Sequence, residues 1–301
     1  MVLVFGLSPF SLSAGTFGLE GELFGRIDSH TVNKNESLFE IARHFDLGLN
    51  EITAANPGVD PLIPPTGATI TIPTSWILPQ IPFRPCLVIN LTEFRLYYFP
   101  AGSQGEVITY PVGIGEQGDT PAGSYRVVEK IIHPAWHVPP SIRREQPSLP
   151  KVVPAGPSNP MGTRALRLSA KNILIHGTDR PWGIGSRSSH GCLRLYPEDI
   201  VKLYREVPVG TRVVVVNQPV KVAVQGGRVY VENHDAVGGE WAVGEALRLL
   251  SKRSLVASTD FSKLRKAITE KRGYPIDVTL DRGGGIGEKV APVMRQYSSP
   301  Q

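Results

Sequence analysis

The chain has 301 residues, 41% of them apolar and 20% charged, with a net charge of +5. That apolar share supports real hydrophobic cores over a length of about two ordinary domains, and it excludes wholesale disorder. The 31 Gly and 27 Pro favour turn-rich β structure over a helical bundle, and 2 Cys exclude a disulfide framework or a four-cysteine zinc site. No run of 18 apolar residues occurs, so no transmembrane helix is expected. Charge is uneven along the chain. Residues 29–73 carry 2 basic and 5 acidic side chains, whereas residues 84–217 carry 16 basic and 10 acidic, a net of +6. The basic middle favours anionic ligands. Its Lys and Arg are scattered rather than gathered on one stripe, so no nucleic-acid partner is expected.

In chain order, Val2–Ser13 is a short apolar run ending in small residues, similar to the h-region and cleavage site of a secretory signal without its basic start. Residues 1–28 are therefore read as leader and lead-in, with export to the periplasm or cell envelope; Cys86 and Cys192 would then meet an oxidising compartment. Residues 29–73 read as a βααβ unit. Ser37-Leu38-Phe39-Glu40 matches a capping box, followed by Leu38, Ile41, Ala42 and Phe45 on one helical face. A second helix is expected with Asn50 as N-cap, Ile52 and Ala55 inward, and Asn56-Pro57-Gly58 as its stop. The flanks around His30–Val32 and Thr69–Ile72 are β-rich. Residues 74–85, with Pro79, Pro82 and Pro85, are expected to form a stiff linker.

Residues 86–217 alternate short apolar runs with Gly and Pro, the pattern of a β-rich domain whose sheets pack on each other. One helix is expected near Pro197–Glu206, with Glu198 and Asp199 in its first turn. Residues 218–281 suggest a small α+β region: a hairpin around Gln225-Gly226-Gly227 and helices over 240–252 and 260–272. Residues 282–301 form a Gly-rich tail. No chemistry is evident after residue 217. The fold class expected is mainly β with small α parts.

The chemistry concentrates in Ile173–Thr178 and Ser186–Leu195. A thiol must lose its proton to attack a carbonyl, and a neighbouring imidazole can take it. His176 ends an apolar strand, and Cys192 follows Ser189-His190-Gly191. Gly191 permits close backbone approach to a substrate, and loop N–H groups there could face an oxyanion. Cys86, inside an apolar strand, reads as an inert small hydrophobe. His176, His190 and Cys192 offer only three zinc ligands in a spacing that fits no usual site, and prolines argue against a metal-binding helix at His133 and His137. No metal or cofactor is expected.

Two resemblances follow. Residues 29–73, through His30-Thr31-Val32, Glu36-Ser37-Leu38, Ile41-Ala42, Ala54-Ala55-Asn56-Pro57 and Ile70-Thr71-Ile72-Pro73, resemble a LysM module, with Asn35-Glu36 in place of the usual Gly-Asp. That implies binding to N-acetylglucosamine-containing glycans such as peptidoglycan. Residues 86–217 resemble the L,D-transpeptidase (YkuD) catalytic domain: His176-Gly177, then Ser189-His190-Gly191-Cys192-Leu193-Arg194. Gly118–Gly123 and Asn159-Pro160-Met161-Gly162 match its Thr-Pro-x-Gly turn and Asn-Pro-x-Gly loop. The resemblance implies an acyltransferase acting on peptidoglycan tetrapeptide stems through an acyl-thioester. Cys192 would be the nucleophile and His176 the base, with the Gly177 carbonyl setting the imidazole tautomer. Ser189, His190 and Gly191 would orient the loop and form the oxyanion hole with Cys192. Arg194 would bind a substrate carboxylate or brace the loop; a plain surface ion pair is the alternative. The implied acceptors are a stem amine (a 3→3 cross-link), a lipoprotein lysine, or water (an L,D-carboxypeptidase). Carbapenem-type β-lactams would be covalent inhibitors. The rivals are a non-catalytic peptidoglycan-binding protein and a papain-like peptidase, the latter disfavoured because Cys follows His and no helix begins at the Cys.

Overall fold

The computed structural model describes residues 15–81, 86–103, 105–116, 120–170, 172–189, 191–234 and 239–281. The leader run Val2–Ser13, His190, Gly118-Asp119 and the tail 282–301 lie outside them. The N-terminal elements are β1 (Thr16–Gly18), β2 (Leu23–Thr31), α1 (Leu38–His44), α2 (Leu49–Ala55) and β3 (Thr69–Ile77). The middle of the chain forms β4 (Cys86–Asn90), β5 (Arg95–Phe99), β6 (Glu106–Pro111), β7 (Ile114–Gly115), β8 (Gly123–Ile132) and β9 (Trp136–His137). It continues with α3 (Pro140–Glu145), β10 (Val152–Val153), β11 (Arg164–Leu168), β12 (Leu174–His176), β13 (Arg187–Ser189), β14 (Leu193–Arg194), α4 (Pro197–Glu206) and β15 (Arg212–Val216). Last come β16 (Val220–Gln225), β17 (Arg228–Asn233), α5 (Glu240–Lys252), α6 (Phe261–Glu270) and β18 (Ile276–Asp277).

The fold is mostly β. One nine-stranded sheet runs β1-β6-β5-β4-β15-β8-β11-β12-β14. It curls, because Tyr110 near one edge and Leu193 at the other share a single core with Leu87, Leu96, Leu166 and Ile175. Gly113, just past β6, exchanges both backbone hydrogen bonds with Arg194 at 2.8 Å, which ties the two ends together. Alternation places the opposite face of β4 and β5 (Cys86, Val88, Tyr97, Phe99) in a second core with Leu38, Ile52, Ile72 and Trp76. α4 covers the first core through Ile200 and Leu203; Pro197 opens it where a missing N–H costs nothing.

The N-terminal module is thus docked on the sheet rather than tethered to it. Residues 74–77, expected in the linker, extend β3 in register with β2 (Ile77↔Leu23 to Thr74↔Arg26), and Trp76, Ile77 and Leu78 are buried. The prolines suggested a linker; the β-forming run Thr-Ser-Trp-Ile before them had a face to bury. Residues 15–28, expected as lead-in, supply β1 and most of β2. α2 begins at Leu49, not after an Asn50 cap: Gly48 is the cap, and its N–H donates to Glu51 at 2.7 Å. Gly48 and Gly185 press together there, and a Cβ on Gly48 would lie 2.9 Å from the Gly185 Cα. The Ser37–Glu40 capping box, α4, α5 and the Gly226-Gly227 hairpin form as expected, both glycines with the positive φ that a tight two-residue turn requires.

Candidate active site

β12 and β14 lie side by side and parallel, with Ile175 opposite Leu193 and His176 opposite Arg194. One residue back, that register puts Cys192 beside Leu174. Ile175 and Leu193 point into the core, so Leu174, His176, Cys192 and Arg194 share the opposite face. Strand spacing then sets the Cα atoms of Cys192 and His176 about 8 Å apart on the diagonal, with their side chains on one side of the sheet.

Each residue is held by identifiable contacts. The His176 Nδ1–H donates to the Gly177 carbonyl at 2.6 Å, which leaves Nε2 unprotonated in the neutral ring. Asn159 bonds the Pro134, Val153 and Pro154 carbonyls and accepts from the Met161 N–H, which shapes the 159–162 loop. Gly162 (φ +65°) lets that loop touch the strand end; a Cβ there would lie 2.9 Å from the Gly177 Cα. On the other side, Thr120 donates to the Gly191 carbonyl at 3.0 Å, and Ser189 donates to the Cys192 carbonyl at 2.6 Å. Gly191 has φ +103°, a conformation that favours glycine.

His176 is buried, and burial pushes its imidazole down to about 4 against the pull of the Gly177 carbonyl, with the Arg194 charge adding to the depression. Burial likewise pushes the Cys192 thiol up, opposed by the Leu174 backbone and the charges of Arg194 and Arg167. At neutral pH the free site therefore holds a neutral thiol and a neutral imidazole. The Cys192 Sγ donates to the Asn172 carbonyl at 3.6 Å. Asn172 lies two residues before Leu174 in the chain and His176 two residues after it. The half-buried Arg194 interacts with Asp179, which partly offsets the burial that pulls its guanidinium down.

Sequence reasoning missed Asn172 and Arg167. Their signal was faint: Arg167 is the outward residue of the alternating run Arg164–Leu168. The reading of no chemistry after residue 217 also passed over a buried charge cluster. Glu93, Glu232 and His234 place ligand atoms within 4.8 Å of one another. The Lys221 ammonium fills their centre, bonding Glu93 at 2.7 Å, Glu232 at 2.9 Å and the Ile77 carbonyl at 2.6 Å. That cation does what a metal would do, and the cluster clamps β16 and β17 to β3 and the Glu93 turn. His133 stands at positive φ beside the short strand of His137, not on a helix.

Residues 84–215 match the YkuD family, described as the L,D-transpeptidase catalytic domain, and residues 30–73 match the LysM domain. The chain is 38% identical over 273 residues to "Probable L,D-transpeptidase YcfS" of Escherichia coli, covering 85% of each protein. The chain belongs to the L,D-transpeptidase family. It is 37% identical to "Probable L,D-transpeptidase ErfK/SrfK" of Salmonella typhimurium over 84% of this chain and 85% of that one. The solved L,D-transpeptidase from Mycobacterium smegmatis aligns at a TM-score of 0.36 and 18% identity, over 50% of this chain and 75% of that one. As an L,D-transpeptidase it is an enzyme, built from a catalytic domain preceded by a LysM domain.

Proposed function

We propose that this L,D-transpeptidase acts on peptidoglycan tetrapeptide stems through Cys192 and His176. The observation that carries this reading is their placement on one face of adjacent parallel strands, with His176 Nδ1–H engaged by Gly177 and Nε2 available as a base. Substrate entry turns the thiol about its Cα–Cβ bond, away from Asn172 and toward the imidazole. Sγ attacks the carbonyl of the third stem residue while Nε2 takes the thiol proton. The oxyanion is held by backbone N–H groups of the 190–192 loop, which Thr120 and Ser189 brace. Collapse expels the terminal D-alanine, whose amine leaves with the proton from His176. An amine of a neighbouring stem attacks the thioester, passes its proton to Nε2, and the thiol is regenerated. The product is a 3→3 cross-link.

With both groups neutral at rest, the imidazole is free to take the thiol proton when Sγ attacks. A LysM domain with affinity for the glycan would hold the catalytic face near its stems, and such a substrate places the enzyme in the cell envelope, after export. A lipoprotein lysine in place of the stem amine would anchor that protein to the wall; water would yield the free tripeptide. No helix among the described residues is long and apolar enough to cross a membrane.

Intact-protein mass spectrometry after carbapenem treatment tests the nucleophile. One adduct is expected on the native chain and none on Cys192→Ala. A folded native protein that takes no adduct, or an adduct that persists in Cys192→Ala, overturns the assignment. Muropeptide analysis of sacculi incubated with the enzyme then separates the acceptors.

A further inference from the structure

The face that carries Cys192 extends over β12 to two further strands, β11 and β8. Leu174 pairs with Arg167 on β11, and Arg167 pairs with Glu129 on β8. Glu129, Arg167 and Leu174 therefore form one row across β8, β11 and β12, and the β12–β14 register continued one residue back brings Cys192 to its end, on the side away from α4; the neighbouring Leu166 and Ile175 lie in the core. At one strand spacing per step, the Arg167 Cα lies about 10 Å from that of Cys192. The Arg167 charge is felt at the Cys192 thiol.

Arg167 Nε donates to Glu129 at 2.6 Å, and the two side chains are 45% and 53% exposed. An ion pair this exposed adds little to stability and is readily exchanged for other partners. It presents a cation and an anion side by side on an open face. The complementary ligand is an α-amino acid head group, which carries a carboxylate and an ammonium on one carbon. The side chain of meso-diaminopimelate ends in that group, four bonds from its α-carbon, about 5 Å of extended chain. With the diaminopimelate carbonyl at Cys192, its side chain directed along the row brings this zwitterion within reach of the pair.

Resting on the tetrapeptide reading above, we propose that Arg167 and Glu129 are the specificity pair for the third stem residue. Arg167 pairs with the distal carboxylate and Glu129 with the distal ammonium, so donors with a zwitterionic third residue are selected. This is a task apart from that of Arg194, which is half-buried beside His176.

The test measures kcat/KM of the full chain on three disaccharide tetrapeptide donors: meso-diaminopimelate, its distal amide, and L-lysine at position three. The native enzyme is expected to favour the zwitterionic donor over the amide by roughly 10–100-fold, the range for losing one charge-assisted hydrogen bond. In Arg167→Ala that ratio falls to near one, and Arg167→Lys recovers part of it. Glu129→Gln weakens all three donors, since each carries the ammonium, and shifts the ratio far less. A merely structural ion pair would move all donors together in every variant. An unchanged ratio in Arg167→Ala, or a native enzyme indifferent to the amide, overturns the proposal while leaving the transpeptidase reading intact. Failure of the native enzyme to consume any donor or to take a carbapenem adduct overturns both.

Discussion

A buried ion pair helps to dock the LysM domain on the sheet, and breaking it has a calculable cost. Arg95, on β5, donates from Nε to Glu51 Oε1 at 2.8 Å and from Nη2 to Oε2 at 2.7 Å. It also donates to the Asp46 carbonyl at 2.8 Å and to Thr109 at 3.1 Å, and its guanidinium stacks 4.2 Å from the Trp76 ring centre. The pair is 0% and 1% exposed, so solvent does not screen it. Arg95→Met keeps much of the volume and removes the charge. Glu51 retains its bonds from Trp76 Nε1 and the Gly48 N–H but becomes a buried carboxylate without a countercharge. Removing one partner of such a pair costs about 3–5 kcal/mol. For a unit of this size that corresponds to a fall in Tm of roughly 6–20 °C. Guanidinium titration followed by tryptophan fluorescence and far-UV circular dichroism measures the cost. The double variant Arg95→Met/Glu51→Met should lose less than Arg95→Met alone, because no charge is left unpaired. A cost below about 1 kcal/mol for Arg95→Met, or a double variant less stable than Arg95→Met alone, would refute the reasoning. Activity should fall as well. The Leu49 N–H at the head of α2 donates to the Ile184 carbonyl at 3.2 Å, so the docked module supports the loop between His176 and Cys192.

Two further predictions concern Cys192 and His176, the pair proposed to carry the chemistry. With the thiol raised by burial and no imidazolium beside it, iodoacetamide alkylation of Cys192 should climb roughly tenfold per pH unit up to and beyond pH 9; a plateau below neutral pH would indicate a resting thiolate–imidazolium pair. His176, held near 4 from an ordinary 6.5, resists a proton in the folded state that the unfolded chain accepts, so His176 lowers stability progressively as pH falls from 6.5 toward 4; His176→Gln should flatten that part of the pH–stability profile. Gly162→Ala places a Cβ 2.9 Å from the Gly177 Cα and the Thr178 N at a positive φ, and should lower stability by about 1–3 kcal/mol and slow carbapenem acylation; Gly156→Ala, with no atom within 4 Å of its Cβ, is the control expected to behave as native.

Local pattern was readable without coordinates. The Ser37 capping box, the amphipathic faces of α4 and α5 and the Gly-Gly hairpin each depend on residues a few positions apart, and periodicity reports those directly. The His-Gly and Ser-His-Gly-Cys-x-Arg runs stood out because unusual residue types cluster at short spacing. Asn50 has the side chain of a helix cap, but the cap is Gly48, which packs against Gly185, a residue far away in the chain.

What the sequence by itself determined was the inventory: a small βααβ unit, a β-rich domain with a cysteine and a histidine at its chemical centre, and a trailing α+β region. Tertiary structure alone decided how these meet. It placed β15 between β4 and β8, turned a supposed linker into a docked strand, and set Lys221 among carboxylates from two regions. It also aligned Glu129 and Arg167 with Cys192 in one row. The physical reason is that such pairings satisfy charges and hydrogen bonds between strands 38 to 155 residues apart, and contacts of that separation leave no period in the chain to read.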